Sequence, residues 1–312
     1  MVRAVWRNRI GPPSVVLGLA LLLSAAITAS AAIAAASRHS SGLVGSCPDS
    51  PGKAAGAAQR DAAQESRTTT TELRLSPRGE LIGRVLRLRG GFSEAAIALP
   101  VESFVGPQAG SAIVYTRSGG GRGSEVHLVD METGCDTVIA RPSEIVRSAI
   151  LNSDASAVYV HSVMRGSRRD AGVARYDLAS DAMTLVVPAL HPVQRTGPIH
   201  GTELRWSVDG GALTVQSCGF AECTSRVLDV ATGELVRVDG AGQGALIGTT
   251  RDYLITFATC PGLPCSVSSF DLESGARNVV ATEAFGASVG GGSGGRVLLS
   301  IATAHGDVEV EL

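Results

Sequence analysis

The stretch RVLDVATGELVRVD, residues 226–239, places an aspartate at the end of one alternating apolar run, follows it with a short Thr-Gly turn, and opens a second alternating run. Alternation with period two marks a strand with one buried face, and a polar break this short between two such runs marks a β-hairpin. The aspartate can accept hydrogen bonds from backbone N–H groups of the turn, and a glycine four residues later tolerates the positive φ that the turn requires. The pattern recurs as HLVDMETGCDTVIA at 127–140, ARYDLASDAMTLVV at 174–187 and SSFDLESGARNVVA at 268–281. Asp130, Asp177, Asp229 and Asp271 therefore read as structural residues of equivalent hairpins, spaced 47, 52 and 42 residues apart.

A further strand precedes each aspartate: SAIVYT from 111, SAVYVHS from 156, GALTVQS from 211 and DYLITFAT from 252. Turn-rich stretches, LNSDAS, WSVDGG and GTTRD, come before the last three, and LSPRGELIGRVL at 75–86 carries a similar turn near the start of the folded region. The unit is thus a four-stranded antiparallel sheet at the period of propeller blades. A last copy, GRVLLSIATAHGDVEVEL at 295–312, stops at its third strand.

SPRG at 76–79, SVDG at 207–210 and NSDA at 152–155 resemble the Ser-Pro-Asp-Gly turn of the TolB-like β-propellers of exported bacterial proteins. The resemblance covers about 70–312, and no copy carries the full motif. It implies a fold and no activity. The expected architecture is all-β: a six-bladed β-propeller over 70–312, its last blade closed by the N-terminal strand near TTTTEL at 68–73, which removes the open sheet edges.

The chain begins with Arg3, Arg7 and Arg9 ahead of 23 uncharged residues at 14–36, long enough for a membrane-crossing helix with its positive flank in the cytoplasm. Residues 1–36 are expected to be a signal anchor or a signal peptide, since Val15–Leu23 has the length of an h-region and ASA at 29–31 offers small residues for cleavage. Residues 37–69 read as a flexible tether. The expected location is the cell membrane with the folded part outside the cytoplasm, or secretion. VGSC at 44–47 lacks the leucine usual in lipoprotein signals and stands apart from the apolar run.

With 44% hydrophobic residues the chain has ample core-forming material. A net charge of −2, and a single lysine, Lys53, against 26 arginines, give no push toward nucleic acid.

Two cysteine pairs, Cys218 with Cys223 and Cys260 with Cys265, fall 11 and 6 residues before the aspartates of successive units. They occupy the same hairpin position, where facing Cβ atoms are about 4.5–5.5 Å apart, and export favours disulfides. The spacing leaves a four-cysteine zinc site as the alternative. Cys47 and Cys135 remain as a candidate third disulfide.

Strand alternation puts the loops between second and third strands on the same face as the connections between blades. That face would display Arg122, Arg165, Arg168, Arg169, His191, Arg195 and His200, a basic patch suited to an anionic envelope polymer, lipid head group or acidic protein. His127 and His161 fall inside strands and read as packed residues. The sequence shows no Gly-x-Ser-x-Gly elbow, His-Glu-x-x-His or P-loop, and GASVGGGSGG at 286–295 reads as a flexible blade connection. The first expectation is a non-enzymatic envelope-binding propeller without cofactor or metal. The second is a propeller hydrolase acting on an envelope glycan or a lactone-like substrate.

Overall fold

The computed structural model describes residues 4–5, 68–90, 94–118, 123–189, 201–218, 223–238, 244–250, 252–258, 264–291 and 297–311. These residues form strands and turns, and none lies in a helix. The strands follow one another in meanders. After a two-residue strand β1 (Ala4–Val5), the first meander joins β2 (Thr68–Leu75), β3 (Leu81–Arg89) and β4 (Glu94–Leu99). The second joins β5 (Ala112–Ser118), β6 (Ser124–Asp130) and β7 (Cys135–Ala140). The third runs through β8 (Ile145–Leu151), β9 (Ala157–Val163), β10 (Asp170–Asp177) and β11 (Ala182–Val187). The fourth comprises β12 (Gly201–Trp206), β13 (Ala212–Cys218), β14 (Cys223–Asp229) and β15 (Leu235–Val238).

The remaining strands are β16 (Gly244–Thr249), β17 (Tyr253–Ala258), β18 (Cys265–Asp271), β19 (Arg277–Gly291), β20 (Val297–Thr303) and β21 (Gly306–Glu311), one continuous sheet with β1 at its edge. β19 serves two meanders: residues 277–284 pair with β18 and 284–291 with β20. The glycine-rich stretch is therefore strand at 286–291 rather than a loose connection. Its glycines still present N–H and C=O groups to the ladder, which a neighbouring strand satisfies.

In the second meander, an irregular first strand completes the unit. Val105 bridges Tyr115, Gly106 N–H donates to Val114 O and Thr116 N–H donates to Phe104 O. The threonine-rich stretch does not close the last sheet. It is β2, paired with β3 from Thr68↔Arg89 to Leu75↔Leu81. A four-residue turn makes this hairpin the pairing of least loop-closure entropy. The outer edge of β21 instead bonds β1, Ala4↔Val310 and Val5↔Glu309.

The chain divides into two compact units, Ser30–Leu204, and Arg205–Leu312 with Met1–Ala29. Inside each, apolar side chains of consecutive meanders meet face to face. In the first unit, Leu86, Leu88, Ile97 and Leu99 pack on Ile113, Tyr115, Val129 and Met131, while Val114 and Val126 pack on Val146, Leu151, Val158 and Val160. In the second, Ala212, Val227 and Val238 meet Leu246, Leu254 and Phe270, and Ile255 and Val267 meet Leu299, Ile301 and Val310. Each fully buried Val, Leu or Ile contributes about 1.5–3 kcal/mol.

All four repeat aspartates cap their turns. Asp229 Oδ1 accepts from Ala231 N–H and Thr232 N–H, Asp271 Oδ1 from Glu273 N–H and Ser274 N–H, Asp177 Oδ1 from Ala179 N–H and Ser180 N–H, and Asp130 Oδ1 from Glu132 N–H. Four residues on, Gly134, Gly233 and Gly275 have φ of 71°, 74° and 70°, and Asp181 takes 55° in the same place. The turns that resemble Ser-Pro-Asp-Gly also end at positive φ: Gly79 at 80°, Gly210 at 70° and Ala155 at 53°.

Ala155→Gly is expected to stabilise the protein by about 0.5–1 kcal/mol, because left-handed backbone costs an alanine about 1–2 kcal/mol and glycine gives back part of this in chain entropy. Gly233→Ala has open space for its Cβ, so it should destabilise by about 1 kcal/mol through backbone strain alone. Urea midpoints at unchanged m-value measure both. Hydrogen bonds from Ser156, Ser180 and Ser274 hold the carboxyls of Asp154, Asp177 and Asp271 below their ordinary range. A depressed folded-state pKa stabilises the fold above the unfolded value of about 3.9 and is lost as pH falls through the folded value. The urea midpoint should therefore fall below about pH 4, less steeply in Asp271→Asn.

Candidate functional site

In the second and third meanders of the Ser30–Leu204 unit, the loops between second and third strands emerge beside the connections that lead out of the meander. Ser124 N–H, at the start of β6, donates to Pro142 O at 3.2 Å, and Val146 N–H donates to Ser124 Oγ at 3.1 Å. At the corresponding place in the third meander, Gly172 has φ +89°, and a Cβ there would lie 2.3 Å from Val187 O. The backbone approach is too close for any side chain.

The loop 164–169 leaves this end of β9 and β10. It is closed by Met164 N–H to Arg169 O at 2.7 Å and Arg168 N–H to Met164 O at 2.9 Å, and Arg169 N–H also donates to Ser167 Oγ at 3.3 Å. Gly166 and Arg168 have φ of 81° and 52°, so the tip has a defined shape. Arg165, Arg168 and Arg169 are all exposed on it. Arg122, His191, Arg195 and His200 lie outside the described residues.

Directly below the loop, β10 has a bulge between Asp170 and Gly172. The Asp170 carboxylate reaches His161 Nε2 at 2.5 Å, with both side chains buried. On the neighbouring strand Ser148 is the direct partner of His161. The order is Ser, His, Asp, yet Ser148 and His161 are 0% exposed, and neither Ser148 Oγ nor His161 Nδ1 has a hydrogen-bond partner. The serine is neither activated by the imidazole nor open to a substrate.

A second network crosses the second meander of this unit. Tyr115 Oη donates to Asp136 Oδ2 at 2.6 Å, His127 Nδ1 lies 3.0 Å from Asp136 Oδ1, and the Tyr115 and His127 rings stack with centroids 4.5 Å apart. Burial, and then the hydrogen bond to Asp136, push the Tyr115 phenol far above its ordinary range, so it stays protonated. Glu125 lies 3.5 Å from His127 Nε2, too far for a full hydrogen bond, and 3.2 Å from Arg141 Nε. The hydrogen bond from Arg141 holds the Glu125 carboxyl below its ordinary value. The hydrogen-bond and stacking geometry make His127 a packed residue that orders three strands.

In the Arg205–Leu312 unit, Cys218 and Cys223 face each other at the end of β13 and β14 and form a disulfide, with Cα atoms 4.0 Å apart. These two sulfurs are therefore not zinc ligands. Cys135 and Cys265 are also disulfide-bonded, while Cys47 and Cys260 lie outside the described residues. Beside the clasp runs a polar, buried strip of Gln216, Ser217, Thr224, Ser225 and Arg226. No group of three His, Cys, Asp or Glu side chains among the described residues is placed to hold a metal ion. No helix among them is long and apolar enough to cross a membrane, and residues 14–36 lie outside them. The sequence did not single out Ser148 or Asp136, because the partners of each come from other strands.

No family model matches the chain, and no curated protein matches it in sequence. Among solved structures it is similar to TolB from Acinetobacter baumannii, at 16% identity and TM-score 0.45 over 78% of this chain and 63% of that one. It is also similar to the β-propeller domain of the Trilobed protease from Pyrococcus furiosus, at 12% identity and TM-score 0.44 over 75% and 73%. An oligogalacturonate lyase in complex with manganese gives 14% identity and TM-score 0.45 over 77% and 76%. The fold is similar to that of TolB and other β-propeller proteins. The chain spans less than two thirds of the TolB structure it matches.

Replacing Cys218 and Cys223 with serine together should cost about 2 kcal/mol, since the closed loop is short and constrains few unfolded conformations. Equilibrium unfolding with and without reductant reads this. The reduced wild type should unfold at the midpoint of the double variant or below it.

Proposed function

We propose that the chain is a six-bladed β-propeller held outside the cytoplasmic membrane, which uses the end carrying loop 164–169 to bind an anionic envelope polymer or an acidic envelope protein. One observation carries the reading: Arg165, Arg168 and Arg169 stand exposed on a six-residue loop whose backbone is pinned by two hydrogen bonds. Arginines on a loop of fixed backbone can recognise carboxylate or phosphate without the cost of ordering the loop. The apolar segment at 14–36 behind three arginines, together with oxidised cysteines, supports a place outside the cytoplasm. Six meanders, with β19 shared between the last two, support the blade number.

The alternative is a hydrolase acting on an envelope glycan or a lactone-like substrate, and the Ser148, His161, Asp170 order is what favours it. It requires the β8 edge to open, because Ser148 is enclosed.

Binding of the full-length protein to anionic envelope material, measured across a salt series, tests the first reading. Arg165→Ser, Arg168→Ser and Arg169→Ser combined should weaken binding about tenfold or more and flatten its salt dependence. Retention unchanged from wild type would remove the loop from the binding face. Turnover on a panel of esters and glycosides that disappears in Ser148→Ala would favour the hydrolase.

A further inference from the structure

The bulge in β8 gathers three buried polar atoms that no protein group satisfies. Val146 stands opposite Ser162 and Ser148 opposite His161, so Arg147 is the inserted residue, and Arg147 and Ser148 share the single opposing position His161. Arg147 Nε, Ser148 Oγ and His161 Nδ1 are each buried without a hydrogen-bond partner. Directly opposed residues have Cβ atoms about 4.5–5.5 Å apart, so the Ser148 and His161 side chains lie side by side on one face of the sheet. Native interiors leave few such atoms, and three at one bulge point to a bound partner.

Charge selects the kind of partner. Arg147 stays protonated at any ordinary pH, and none of the ion pairs among the described residues includes it. Arg147 is half-buried, and its Nε–H is the part withdrawn from water beside the enclosed Ser148 and His161; an anion complements a guanidinium N–H in such a place, which a neutral water does only in part. His161 already commits Nε2 to Asp170. Nδ1 is the ring atom left for a ligand, and it donates when the imidazole carries its second proton.

We propose that this bulge binds a small monovalent anion, held by Arg147 Nε–H, Ser148 Oγ–H and His161 Nδ1–H. The full enclosure of Ser148 and His161 limits it to a halide ion or a single carboxylate oxygen. The site is independent of the envelope-binding reading, although Asp170 links it to the base of the arginine loop.

The test uses full-length protein carrying ¹⁵N-histidine, with the His161 ring signals assigned by their loss in His161→Gln. Chloride, and in a second arm formate, is titrated at constant ionic strength against the bulky sulfonate isethionate. The His161 nitrogens should shift saturably, and Arg147→Gln should raise the midpoint at least tenfold, with a smaller rise in Ser148→Ala. Saturation by chloride alone identifies a halide site, whereas saturation by formate as well identifies a carboxylate-accepting one. No saturable shift with either anion, or an Arg147→Gln protein that titrates like wild type, overturns the proposal. If Arg147→Gln does not fold, the wild-type melting temperature decides: it should rise with chloride over isethionate, and an unchanged value overturns the site.

Discussion

A sheet whose strands are buried on both faces cannot persist alone in water, and that constraint organises this molecule. Every described side chain of β14 except Asp229 at its end is buried, and β13 is buried throughout except at Cys218. Such strands are stable only when another sheet covers each face. Among the described residues, four apolar layers supply such cover, each formed by side chains of consecutive meanders. The capped turns set where each strand ends, so that alternate residues arrive at the layer in register.

Several polar groups in the interior are satisfied laterally by neighbouring strands. Thr214 and Thr249 bond hydroxyl to hydroxyl at 2.5 Å, and Tyr115, His127 and Asp136 form a chain across three strands. Networks of this kind specify one register, because a slip of one residue would bury every member unpaired. Bulges do the remaining work. The one in β10 turns Asp170 onto His161, and the one in β8 inserts a half-buried charged residue, Arg147, beside Ser148.

The two ends of each sheet carry different connections. At one end are the aspartate turns, tightly bonded and short. At the other, a disulfide fixes one hairpin and backbone hydrogen bonds fix the arginine loop. Recognition placed on loops above a rigid sheet combines side-chain variety with a stable platform. Arg165, Arg168 and Arg169 are exposed on such a loop, whereas Ser148 is enclosed.

The sequence by itself determined the all-β class, the repeat, the hairpin aspartates with their positive-φ partners, and the facing position of Cys218 and Cys223. Each of these is a short-range relation between residues a few positions apart, which period and turn chemistry specify directly. Tertiary structure decided the rest. TTTTEL pairs with its local hairpin partner, and the glycine-rich stretch at 286–291 extends β19, because strand pairing depends on which edge is near and open rather than on composition. The clustering of Arg147, Ser148, His161 and Asp170 likewise rests on two bulges, and an inserted residue leaves no mark in the alternation until the partner strand defines the register.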